Sequence, residues 1–452
     1  MGFFLFLLVN ATLFVRPAEV IPELLELPIY NVLILGCFAY SYPVVLRQLS
    51  GKSLVETPIT ACVVGLLGAV VLSHLSHLHL FGARTSGFLF AKIVMYYLLL
   101  VGLVDSTDRL RRFLYWLGWM IFVLTALALL QYHEMINVPA LQSYAEEQYG
   151  EDGGELTEIV RLCSTGIYNN PNSLSRILVT GLILSLYWLS DRRSGLLRWI
   201  WTAPLVLEGY ALTLTQSRGG FMGLMASLLC LLYARFGAKK AFFLSILAVP
   251  VALALKGRQA DISLSGGTGH QRLEIWAEGW RLFRGSPIFG IGMDQFVEEI
   301  HYVAHNSFFH CFAELGFVGG SLYVGMFYLA IRWLLKLGSA GSPIRDPEFR
   351  RVGRYLAAII AGEAVGQLSI TRSYEVPTYL LIGLAAVYLR LAAFQPSASI
   401  PRLSYSRMIR LMTIFLDLQP SASGPRLSFK LVAQVSSVSL ALLFFLYLLM
   451  KL

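Results

Sequence analysis

Apolar stretches of bilayer-spanning length recur along nearly the whole chain, and this pattern leaves few folds open. Within hydrocarbon every backbone N–H and C=O must be bonded inside the protein, so only packed helices or a closed barrel qualify. The stretches are long and continuous, without the ten-residue alternation of barrel strands, which selects helices. Spans are expected at about 2–15, 28–46, 57–74, 87–104, 113–130, 175–190, 197–215, 220–234, 240–256, 311–335, 353–371, 376–394 and 431–449. The expected fold class is an all-α polytopic membrane helix bundle of about 12–13 spans with two long non-cytoplasmic loops. A mean hydropathy of +0.64, with 56% hydrophobic and 14% charged residues, excludes an ordinary soluble domain. The net charge of +9 reads as basic cytoplasmic loops, not as nucleic-acid binding. Five scattered cysteines (Cys37, Cys62, Cys163, Cys230 and Cys311) lack CxxC spacing and read as small core residues. The apolar start lacks a basic flank and a small-residue cleavage site, so no cleaved signal peptide is expected.

The loops set the orientation. One alternating set carries Arg47 and Lys52, then Arg109, Arg111 and Arg112, then Arg192, Arg193 and Arg198, then Arg235, Lys239 and Lys240, and last a group from Arg332 to Arg354. The other set includes the acidic loop 131–174, with Glu134, Glu146, Glu147, Glu151, Asp152, Glu155 and Glu158. The positive-inside rule makes the basic set and the N-terminus cytoplasmic. Both long loops, 131–174 and 257–310, then face outward, and all eight histidines lie in or beside outer segments. Outer cations gather near the second loop: Arg218, Lys256, Arg258, Arg272, Arg281, Arg284 and Arg372. Such a cluster points to an anion handled at that face. Near the end, Gln395–Ser404 recurs as Gln419–Ser428, a Pro- and Ser-rich repeat read as a cytoplasmic linker without catalytic role. Ser406–Leu418 between the copies reads as a basic amphipathic segment on the membrane surface.

Four segments carry chemistry. In Leu214–Met222 (LTQSRGGFM), Ser217 is placed to cap the next helix, Gly219 and Gly220 clear its first turn, and Arg218 adds charge at the positive end of its dipole. This suits a phosphate or diphosphate, and it equally suits a tight helical hairpin whose arginine snorkels to headgroups. His270–Arg284 reads as a surface helix, with Ile275, Trp276, Trp280 and Phe283 as its apolar stripe, tryptophans at headgroup depth, and Arg272 reaching an anionic headgroup. His305 and Asn306 precede a span, where a neutral imidazole could serve as general base and the amide could bind hydroxyls. A lone interfacial histidine is more often a hydrogen-bonded filler. Arg161–Leu174 (RLCSTGIYNNPNSL) makes a turn into a span, with Asn172 placed as a helix cap. Glu298, His301 and His305, and separately His74, His77 and His79, could be read as metal ligands, but neither set matches a known ligand pattern, so no metal and no cofactor are expected.

Taken in order, these segments resemble the O-antigen ligase and O-antigen polymerase superfamily. The resemblance runs through Gly166–Asn172, Ser217–Gly220, Arg272 with Ile275-Trp276, Pro287–Gly292, His305-Asn306 and Glu314–Gly316, and also takes in Arg16–Glu19. It covers about 1–394, with the motif core at 160–320. It implies a fold related to the GT-C glycosyltransferases in the bacterial inner membrane, with the active site facing the periplasm. The implied activity moves a glycan from an undecaprenyl-diphosphate carrier to an acceptor hydroxyl of a glycan, lipid or protein, with inversion and without a metal. On that footing Arg218 and Arg272 bind the diphosphate and His305 activates the acceptor. Ser217, Gly219, Asn306, Asn172 and Arg372 are the expected substrate-binding residues. Repeat-unit polymerisation and protein O-glycosylation use the same core. A transporter of lipid-linked glycans is the rival of another class, and would show inverted repeats and broken helices near mid-membrane. Residues 395–452 are then a cytoplasmic linker with a candidate extra span at 431–449.

Overall fold

The computed structural model describes residues 1–24, 27–138, 141, 144–149, 156–254, 268–339, 342–393 and 426–450. The chain opens with α1 (Gly2–Phe14), α2 (Pro17–Val20), α3 (Ile29–Gln48), α4 (Gly51–Glu56), α5 (Pro58–Leu75), α6 (Leu80–Leu103) and α7 (Thr107–Tyr132). After a hairpin, β1 (Tyr144–Tyr149) and β2 (Leu156–Arg161), come α8 (Pro171–Leu189), α9 (Thr202–Leu214) and α10 (Arg218–Ala254). The rest is α11 (Thr268–Gly285), α12 (Gln295–Ile300), α13 (Ser307–Gly338), α14 (Pro347–Gly366), α15 (Val376–Ala392) and α16 (Phe429–Leu449). Eight of the described helices are long and apolar enough to cross a membrane: α3, α5, α6, α7, α8, α10 as far as Phe243, α13 and α16. α1 and α15 are shorter apolar helices. α9 continues a 3-10 run, Arg192–Trp201, and α14 carries Glu348, Arg350, Arg351 and Arg354 in its first half. The chain is a polytopic membrane helix bundle; among the described residues, eight helices reach full span length where thirteen apolar stretches were expected.

The acidic loop holds structure that its charge conceals. Its strands pair antiparallel, Tyr144 opposite Arg161 and Glu147 opposite Glu158. Leu156, Thr157, Ile159 and Val160 are strand formers, and ladder hydrogen bonds do not require an apolar run. The repeat copy 395–404, most of the second copy, Ser406–Leu418, Lys256 and Arg258 lie outside the described residues.

Two long helices are interrupted. α10 breaks at Gly237 (φ 79°, ψ 171°), between the two stretches expected as separate spans. α13 breaks at Gly316 (φ 64°, ψ −167°), leaving a half-helix, Ser307–Leu315, ahead of the full span. Backbone groups at that break need new partners. The segment Pro287–Gly292 supplies them: Phe317 N–H donates to the Pro287 carbonyl (2.8 Å), and Gly292 N–H donates to the Glu314 carbonyl (2.9 Å). The two backbones come this close only because Gly290 and Gly316 lack side chains. A Cβ on Gly290 would sit 2.3 Å from the Glu314 carbonyl carbon.

Polar side chains inside the bundle are cross-bonded. Arg176 of α8 is ion-paired with Glu363 of α14, and the same carboxylate accepts from Gln367 Nε2 at 2.8 Å. At the far end of α8, Arg111 bonds Asp191 (2.8 Å), Arg351 bonds Glu348 (2.8 Å) and Tyr187 donates to Glu348 (2.6 Å). Arg176 and Tyr187 lie eleven residues apart on α8, ~17 Å along its axis. α16, the candidate extra span after the linker, runs the depth of the bundle. Arg332 donates to Gln434 near its start (2.6 Å), and Tyr447 near its end lies 5.4 Å from the Trp280 ring.

Candidate active site

The turn between α9 and α10 is built from its caps outward. Gln216 sits in the left-handed region (φ 47°), which turns the chain so that Ser217 Oγ accepts from Gly220 N–H at 3.2 Å. Ser217 Oγ also donates to Asn172 Oδ1 (2.8 Å), which accepts from Arg161 Nη2 as well (3.1 Å). Arg161 Nε donates to the Thr215 carbonyl (3.0 Å), so the hairpin, the start of α8 and this turn form one frame. Arg218 is the first residue of α10, where its charge adds to the positive end of the helix dipole. Asn170, not Asn172, caps α8, accepting from Asn172 N–H at 2.9 Å. Gly219 faces protein where a ligand was expected: a Cβ there would lie 1.9 Å from Ser369 Oγ. Small residues here let α10 pack tightly on the α14–α15 segment.

The second wall is the turn into α13. His305 is left-handed (φ 49°) and half-buried, a backbone conformation that costs energy in a non-glycine residue. Asn306 is buried, and its Oδ1 accepts from Phe308 and Phe309 N–H, both at 3.1 Å, so that oxygen, expected on substrate, caps the half-helix. Ser307 Oγ donates to the Ile370 carbonyl (2.6 Å) and accepts from Arg372 N–H (2.9 Å). Arg372 thus lies beside this turn, but its guanidinium is ion-paired with Glu375, which offsets the charge expected for an anion.

α11 joins the two walls. Ile275 and Phe283 are buried, Trp276 Nε1 donates to the Ala304 carbonyl (2.6 Å), and the tilted Trp280 and Phe283 rings lie 5.3 Å apart. Its apolar stripe therefore packs on the His305 turn, α13 and α16, so the tryptophans expected at headgroup depth have protein partners. The helix amphipathicity is real; its partner is protein. Arg281 and Arg284 are exposed, whereas Arg272 is half-buried and feels the Arg218 charge; burial first, then that repulsion, weakens its hold on its proton. His305 in turn is held down to about 4, first by burial and then by Arg272. Arg218, Arg272 and His305, far apart in the chain, thus occupy one electrostatic neighbourhood.

The two metal readings do not find support. α12 ends at Ile300 and His301 is left-handed (φ 61°), so Glu298, His301 and His305 do not share a helical face. His74 is instead bonded to Ser86 Oγ (3.1 Å) and His77 to the Ser73 carbonyl (3.0 Å). Among the described residues no three His, Cys, Asp or Glu side chains are grouped to hold a metal ion. Sequence reasoning missed the bonds by which Arg161 frames the turn, and missed Ser369 and the Arg176–Glu363 pair. The signal for the pair was present, as charges inside apolar stretches are rarely idle.

Two guanidiniums beside a neutral imidazole suit an anionic group held next to a hydroxyl that loses a proton. No curated protein matches the chain. Residues 203–324, which contain Arg218, Arg272 and His305, match the family model described as O-antigen ligase. Through that segment the chain is similar to the O-antigen ligase superfamily, a likeness that supports a membrane glycan-processing enzyme.

Proposed function

We propose that this enzyme transfers a glycan from an undecaprenyl-diphosphate carrier to an acceptor hydroxyl, at the periplasmic face of the bacterial inner membrane. The reading rests on the electrostatic neighbourhood of Arg218, Arg272 and His305. The two guanidiniums neutralise the diphosphate and the charge that grows on it as it leaves. The acceptor oxygen attacks the anomeric carbon opposite the diphosphate, the carbon–oxygen bond to phosphate breaks, and its electron pair departs with the carrier. Configuration inverts, and the hydroxyl proton passes to His305 and then to the diphosphate or solvent. A histidine held at about 4 is a poor base at neutral pH. The bound diphosphate offsets Arg272 and raises His305, so the base strengthens only once the donor is in place. Because arginines supply the neutralisation, no metal is needed.

Residues 1–394 would form the transferase domain, with α16 packed onto it and 395–428 as its linker. Ligation to a lipid or protein and polymerisation of repeat units share this chemistry, and the acceptor decides among them. The test is transfer in vitro from a defined undecaprenyl-diphosphate glycan to candidate acceptors. Arg218→Ala, Arg272→Ala and His305→Ala should each lower the rate by about 100-fold or more while the protein still inserts, and EDTA should leave the rate unchanged. Full activity in all three variants would sink the assignment. A donor moved across the membrane without covalent transfer would favour a transporter. Reporter fusions after residues 150 and 290 check sidedness, and a cytoplasmic signal at either site overturns the periplasmic placement.

A further inference from the structure

A cavity of about 910 Å³ opens between α1, α3 and α6, apart from the diphosphate site. Its lining is mainly apolar, and Leu35, Phe88 and Leu89 at its mouth are exposed on the lateral surface of the bundle. A concave, mostly apolar space with a few convergent polar groups is the usual form of a ligand site. The polar groups here are Arg16, Glu19, Lys92 and Glu375. Both carboxylates already have guanidinium partners, Glu19 in Arg16 and Glu375 in Arg372. Lys92 is left as the uncompensated charge among the described lining residues, its ammonium 4.7 Å from the centre of the Phe88 ring. It is also the thirteenth residue of a 24-residue apolar helix, and a cation so placed in a span is a site candidate by default.

Charge and shape together select the occupant. Hydrocarbon walls open to the bilayer suit a lipid tail, and one uncompensated cation suits a single phosphate head. We propose that this cavity binds an anionic membrane phospholipid, its chain between α3 and α6 and its phosphate at Lys92. The site adjoins the catalytic turn. Arg372, paired with the lining residue Glu375, donates its N–H to Ser307, two residues after His305. Arg16 lies against Gly166, where a Cβ would come within 2.1 Å of its guanidinium carbon, on the segment leading to Asn172. This gives the Arg16–Glu19 motif a place that the transfer chemistry leaves unused.

The test is native mass spectrometry of the full chain, delipidated and then supplied with phosphatidylglycerol or phosphatidylcholine of the same chain length. Phosphatidylglycerol should bind about five-fold more tightly, as one lysine–anionic lipid contact implies. Lys92→Gln should erase that preference, Ala91→Trp should lower binding of both lipids by filling the cavity, and Arg218→Ala should leave binding intact. The last variant separates this site from the transfer reading. Equal binding of the two lipids, or a preference unchanged in Lys92→Gln, overturns the proposal. Displacement by inorganic phosphate, or one-for-one by a polyprenyl diphosphate, also overturns it, since the site would then be a phosphate or donor site.

Discussion

Replacing Arg272 with glutamine should release His305. In the native site burial, then the Arg272 charge, holds the imidazole at about 4 against an ordinary 6.5. Burial is the larger cause, so the guanidinium accounts for the smaller part of the drop. Arg272→Gln should therefore raise His305 measurably above 4, still under 6.5 because burial persists. The assay is a histidine-selective NMR titration of the full chain in nanodiscs, with His305→Gln identifying the resonance among eight histidines. A short-chain polyprenyl diphosphate added to the native protein should move the same resonance the same way. Titration of His305 at an unchanged or lower pH in Arg272→Gln refutes the coupling, and with it the idea that donor binding strengthens the base. The sign also governs stability. Because the folded value lies below the unfolded 6.5, stability present above 6.5 is lost as pH falls towards 4, and His305→Gln should flatten that loss.

Three further outcomes are expected. Arg176→Met or Glu363→Gln alone should cost ~3–5 kcal/mol by stranding a buried charge or its partner, while the double change to Met and Leu should recover much of it; thermal melts of all three variants decide. Gly316→Ala forces a side chain into a left-handed residue against the Ile288 carbonyl, and should cost more than ~1 kcal/mol while lowering transfer, since the half-helix carrying the His305 turn loses its anchor. A melt unchanged from native would show that the break is tolerant. Arg218→Lys keeps the charge and loses the bidentate fork, so it should retain donor binding at reduced kcat; native kinetics would argue against a bidentate contact.

Much of the architecture was legible because hydrocarbon imposes one rule on every backbone group, and hydropathy reports it directly. The helices and the burial of four of the five cysteines follow from composition, whereas grouping Arg218, Arg272 and His305 as one site rests on the family resemblance. What packs against what did not follow. The α11 stripe has the amphipathicity of an interfacial helix, and only the presence of the α13 half-helix and α16 turns that face towards protein. Gly219 reads as room for a ligand until Ser369, about 150 residues away, is seen to fill it. Ser217 and Asn172 read as polar groups at helix starts, but Ser217 bonds Asn172 and Asn172 bonds Arg161 from other segments, while the Asn306 oxygen is spent capping its own helix, so frame and ligand contact could not be told apart. Local chemistry fixes which side chains can bind, cap or break a helix. Long-range packing alone decides which of those capacities is already used within the protein and which, as with Arg272 and His305, is held half-buried at a shared site.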